Sequence, residues 1–139
     1  MTTSNFTLTL ELDRSSANLT GTAILLNKSD TAITLWNKGN EWGDQVLSFL
    51  IEKGASVHII NQGEKVYTRN VPSTLLLKPG GIHKIDFDLT TSEWESDAPI
   101  DEITLSPGKL KSLYTVPVSD HDVDPNIWTG QLVSNTLDL

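Results

Sequence analysis

Asp120, Asp122 and Asp124 occupy alternate positions in Asp120-His121-Asp122-Val123-Asp124. In an irregular loop, carboxylates at this spacing can converge on a hard cation such as Ca²⁺, which takes about six to eight oxygen ligands. The calcium-loop pattern then stops. Pro125 stands where the turn glycine belongs, and Gln131 where the bidentate glutamate belongs. These three aspartates are the metal candidates of the chain; the competing reading is a solvated acidic loop. Tryptophan supplies the second set of candidates, because a large amphipathic ring is costly to leave wet and is enriched where proteins bind one another. Trp36 and Trp42 flank the turn Asn37-Lys38-Gly39-Asn40-Glu41, and Trp94 sits among Glu93, Glu95, Asp97, Asp101 and Glu102. Trp36, Trp42 and Trp94 are therefore the binding candidates, against the alternative that each caps an end of an apolar core. Trp128 reads as a packing residue.

Catalytic patterns are missing. Nucleophilic hydrolysis needs Ser or Cys beside a base, and the chain has no Cys, no Gly-x-Ser-x-Gly elbow and three His. His58 lies in an apolar stretch and His83 shares the parity of Ile85, Phe87 and Leu89, so both read as packed residues. Gly80-Gly81 lacks the Gly-Lys-Ser/Thr continuation of a phosphate loop. The carboxylates around Trp94 would hydrolyse glycosides only across a cleft of defined separation. A non-enzymatic chain without a resident cofactor is expected.

The elements that must carry these residues read as strands. Phe6, Leu8, Leu10 and Leu12 alternate with Thr7, Thr9 and Glu11, the period of a strand with one dry face. Residues 18–27, 32–36, 45–52, 57–60, 66–68 and 75–77 follow as short extended runs, broken by Lys28-Ser29-Asp30, Asn37-Lys38-Gly39-Asn40, Lys53-Gly54, Asn61-Gln62-Gly63 and Lys78-Pro79-Gly80-Gly81. Ile85, Phe87 and Leu89 alternate again. An acidic connection over residues 91–107 leads to strands at 109–118 and 132–139, with a further short strand expected at 103–105. No amphipathic helix is evident. Turns about every ten residues predict an all-β, immunoglobulin-like antiparallel β-sandwich of about seven to nine strands, formed as a single domain over residues 1–139.

Composition agrees. A chain of 139 residues with 37% hydrophobic content can bury a core of its own. No apolar run approaches the roughly 20 residues of a membrane span. The net charge of −8 is uneven: residues 1–84 hold seven acids and eight bases, whereas residues 85–139 hold eleven acids and only Lys109 and Lys111. Such a surface repels nucleic acid and anionic lipid and favours a basic protein surface. The lack of Cys and of a basic, apolar leader points to the cytoplasm.

Leu77-Lys78-Pro79-Gly80, Leu113-Tyr114-Thr115-Val116-Pro117, Trp128-Thr129-Gly130 and Ser134-Asn135 resemble a pattern of immunoglobulin-like domains in uncharacterised bacterial proteins. The chain is also distantly similar to the bacterial intracellular proteinase inhibitor family. The resemblance implies the sandwich and, through the inhibitors, an extended loop such as Val71-Pro72-Ser73 or residues 91–99 entering a protease cleft. The functional expectation is a protein-interaction module, with protease inhibition as its sharper form. Carbohydrate binding through Trp and carboxylates, or a purely structural accessory domain, are the alternatives.

Overall fold

The computed structural model describes residues 5–15, 19–63, 65–104 and 107–139. Eleven strands are found among them, in the order β1 (Phe6–Leu12), β2 (Thr20–Asn27), β3 (Ile33–Trp36), β4 (Leu47–Lys53), β5 (Ser56–Gln62), β6 (Thr74–Leu77), β7 (Ile82–Asp88), β8 (Trp94–Ser96), β9 (Lys109–Val116), β10 (Gly130–Val133) and β11 (Leu137–Asp138). One-turn helices α1 (Glu41–Asp44) and α2 (Ile100–Thr104) and a 3-10 turn at Val118–Asp122 complete the list.

One sheet has the order β1-β2-β7; the other has β10-β9-β4-β5-β8, with β11 on β9, and every strand pair is antiparallel. In immunoglobulin terms the first sheet supplies A-B-E and the second G-F-C-C′. The inward residues of each strand build the core between them. Phe6, Leu8 and Leu10 of β1 and Leu47, Phe49 and Ile51 of β4 are all buried, as their period of two requires. Phe49 from one sheet meets Phe87 from the other at a ring-centroid distance of 4.6 Å, which places the two layers face to face. Tyr114 of β9 is 1% exposed, and burial pushes its phenol well above the ordinary range.

β3 and β6 form a separate two-stranded ribbon. The fully buried Asn27 at the end of β2 holds it: Nδ2 donates to the carbonyls of Thr31 and Leu77, each at 2.9 Å, while Oδ1 accepts from the N–H and hydroxyl of Ser29. Every polar atom of that amide is thereby used inside the protein, as burial demands.

Four expectations are corrected. Eleven strands replace seven to nine, because β8 and β11, at three and two residues, are too short to show a period. The C-terminal strand expected over 132–139 is split. Leu132 pairs with Tyr114 but Leu137 with Leu110, so one extra residue lies on the 134–136 side: a β-bulge. There Ser134 Oγ takes the N–H of Ser112 at 2.8 Å, and the side chain of Asn135 turns to β1, accepting from Leu10 N–H at 2.7 Å and donating to Leu10 C=O at 3.1 Å. Residues 66–68 form no strand, since Tyr67 and Asn70 bond to α1 instead of to a ladder. The segment expected as a strand at 103–105 is helical over Ile100–Thr104, with the N–H groups of Glu102 and Ile103 turning back to the carbonyl of Pro99; Leu105 lies outside the described residues.

Candidate functional site

The turn after β3 sets the site. Gly39 takes a positive φ of 92°, and Asn40, 1% exposed, caps α1 by accepting the N–H of Gly43 at 2.9 Å while donating to the carbonyl of Asn37. Gly43 is required by contact: a Cβ there would stand 1.6 Å from the Asn37 carbonyl oxygen. Only glycine lets the one-turn helix sit on that backbone. Trp42 is thereby laid over Trp36, with ring centroids 6.1 Å apart and planes tilted by 36°.

Trp36 is 3% exposed and donates its indole N–H to Asp120 Oδ2 at 3.0 Å, across 84 positions of sequence. This contact ties the 3-10 turn to β3, aided by Thr34, whose carbonyl accepts from Trp128 N–H at 2.9 Å. From the other side the segment 65–73 is strapped onto α1. Tyr67 donates its hydroxyl to Asp44 Oδ2 at 2.9 Å, and Asn70 Oδ1 accepts the N–H of Glu41 at 3.0 Å. Burial first, then the bond to Asp44 and its charge, pushes the Tyr67 phenol up to about 12.

Between these elements opens a cleft of about 680 Å³, lined by Glu41, Trp42, Gln45, Val46, Lys65, Tyr67, Asn70, Thr115, Pro117 and Asp120. That size matches a pocket for a side chain or small molecule. Its wall carries one cation, Lys65, which is already shared between Asp44 at 3.6 Å and Glu93 at 3.3 Å. Among the described residues neither Glu41 nor Asp120 has an ion-pair partner. The cleft thus offers aromatic surface from Trp42 and Tyr67, amides from Gln45 and Asn70, and two uncompensated negative charges.

Trp36, Trp42 and Asp120 come together here, although sequence had placed Asp120 in a separate cation loop. Asp122 is exposed and ends the 3-10 turn, while Asp124 Oδ1 accepts the N–H of Asn126 at 2.9 Å. Among the described residues no three Asp, Glu or His side chains form a group able to hold a metal ion. Trp94 lies elsewhere, at 6% exposure on β8 against Phe49, with ring centroids 5.3 Å apart. Beside it runs a second depression of about 730 Å³ that includes Glu95 and Asp97. Asp97 is engaged by His58 Nδ1 at 3.1 Å, and that bond, followed by one from Ser96, holds its carboxyl below the usual range. Tyr67, Lys65, Asp44 and Asn70 were missed by sequence reasoning, and no spacing in the chain marks them as partners. Trp128 packs as expected, edge-on to Phe6 at 5.0 Å. Among the described residues no helix is long and apolar enough to cross a membrane. No protein-family model matches this chain, and no curated protein matches its sequence.

Proposed function

We propose that this chain is a non-enzymatic protein-interaction module whose contact surface is the cleft between α1, the 65–73 segment and the 3-10 turn, and that its partner presents a basic surface. The observation that carries this reading is the charge state of the cleft: its lysine is held by two carboxylates, whereas Glu41 and Asp120 have no cation among the described residues. Unpaired carboxylates at a cleft rim attract a cationic partner and repel phosphate or another acidic surface. Loops on a rigid sandwich are the usual place for such contacts.

The protease-inhibitor form of this reading draws on the strap itself. Residues 65–73 run without regular structure, Val71 is 49% exposed, and hydrogen bonds from the N–H of Glu41 to Asn70 and from the N–H of Asn37 to the Ser73 carbonyl anchor the segment on both sides of it. Carbohydrate binding is less well served, since Trp36 and Trp94 are too buried to offer a flat face to a sugar ring.

Selection of displayed random peptides on the immobilised protein tests the module. Peptides are expected that lose about tenfold or more of their affinity for both Trp42→Ala and Glu41→Lys, but not for Leu113→Lys on the outer face of the large sheet. Thermal melts would establish that each variant is folded. Recovery of no peptide, or of peptides indifferent to both cleft substitutions, would sink the reading.

A further inference from the structure

Resting on the interaction module just proposed, the chemistry of the cleft can be carried to one functional group. We infer that the cleft is a recognition site for an arginine side chain of the partner, with the guanidinium stacked on Trp42 and paired with Glu41 and Asp120. Three features converge on this group. Trp42 packs against Trp36 and also lines the cleft, so the ring is fixed before a ligand arrives and loses little freedom on binding. A planar cation over an indole is attracted by the ring quadrupole, and guanidinium, more weakly hydrated than ammonium, leaves water at lower cost.

The carboxylates define the charge and the shape. Asp120 is half-buried and held by the Trp36 indole through Oδ2, so its position is set by the core, whereas Glu41 stands exposed at the start of α1. A guanidinium has five N–H donors in a fixed fork and can serve two carboxylates in different directions at once; an ammonium acts as a point charge. Lys65 does not neutralise the pair, because Asp44 and Glu93 already hold it. The cleft is also larger than a guanidinium alone, at about 680 Å³, and accommodates the aliphatic stem and adjoining backbone.

The test is a titration of the ¹⁵N-labelled protein with Nα-acetyl-arginine amide, Nα-acetyl-citrulline amide and Nα-acetyl-lysine amide. Citrulline keeps the shape of arginine and removes its charge. Saturable shifts of the Trp42 indole and of the Glu41 and Asn70 amides are expected with arginine. Binding should be about tenfold weaker for citrulline and about threefold weaker for lysine. Glu41→Gln and Asp120→Asn should each weaken arginine about three- to tenfold, while the Trp36 indole resonance and the melting temperature report whether the second substitution leaves the core intact. Equal binding of citrulline, shifts that map outside the cleft, or unchanged affinity when Glu41→Gln and Asp120→Asn are combined in one protein would overturn the inference. Selected peptides that depend on Trp42 but lack arginine would remove the guanidinium and leave the module standing, whereas the absence of any cleft-dependent peptide removes both.

Discussion

Trp36 and Trp94 are buried almost equally, at 3% and 6% exposure, yet their surroundings treat the indole N–H in opposite ways. Trp36 has a carboxylate waiting at 3.0 Å. Among the described residues Trp94 Nε1 is buried with no hydrogen-bond partner, and so is Oε1 of Gln62, its paired neighbour on β5. A donor and an acceptor thus sit on paired residues, each unsatisfied. The contrast separates an indole held by a polar contact from one whose ring is held by packing against Phe49. A buried indole that reaches a carboxylate fixes a charged loop in place; one that reaches nothing contributes apolar area less the cost of its own desolvation. The first arrangement suits a site, and the second suits a wall of the core.

The contrast breaks most severely at Gly43. Alanine there cannot coexist with the Asn37 carbonyl, so α1 must lift off and take Trp42 with it. A loss of about 3 kcal/mol is expected, measured by denaturant titration, together with a change in tryptophan fluorescence. A variant as stable as the parent would show that α1 is not seated as described.

Replacing each tryptophan by phenylalanine sharpens the comparison. Both substitutions give up ring area, but Trp36→Phe also strips Asp120 of its donor, whereas Trp94→Phe removes a donor that had no partner. Trp36→Phe should therefore cost about 1–2 kcal/mol more than Trp94→Phe, as read from denaturation midpoints at constant m-value. Equal costs would mean that the Asp120 contact contributes nothing.

The smallest effect is one of pH. His83 on β7 has its pKa lowered from the ordinary 6.5, first by burial and then by the charge of Lys38 in the turn before α1. Between the lowered value and 6.5 the unfolded chain binds more protons than the native one, so stability rises with pH across that window and is lost as pH falls through it. Stability measured from about pH 7 down to pH 5 should fall less steeply in His83→Gln than in the parent. Identical slopes would remove the histidine from the account.

These contrasts divide along what sequence could reveal. The alternation at Phe6, Leu8 and Leu10 and at Ile85 and Phe87 predicted strands whose inward faces are those same residues. A period of two is a direct image of the pleat, and burying one face fixes the register. The pairing of Trp36 with Trp42 was half legible, because six positions and a turn separate them. The bond from Trp36 to Asp120 was not, since 84 residues intervene and hydropathy says nothing about where a carboxylate returns. Nor could α1 be read, because a single turn is shorter than the window over which helical spacing shows. Its signal was chemical: Asn40 as cap and Gly43 as the point of close approach. Within the strap, residues 66–68 read as a strand because Val66, Tyr67 and Thr68 have the right propensities. Tertiary bonds to Asp44 and Glu41 override them.

The bulge between β10 and β11 has a consequence for how copies of the chain meet. Leu10 lies on β1, the margin of the three-stranded sheet, with its N–H and C=O turned away from β2. Groups so placed on an edge strand are ones that another chain could seize to extend the sheet. The amide of Asn135 occupies both at once, as one residue of a neighbouring strand would. The margin is therefore stoppered from within at Leu10, where an incoming chain must evict Asn135 before it can pair.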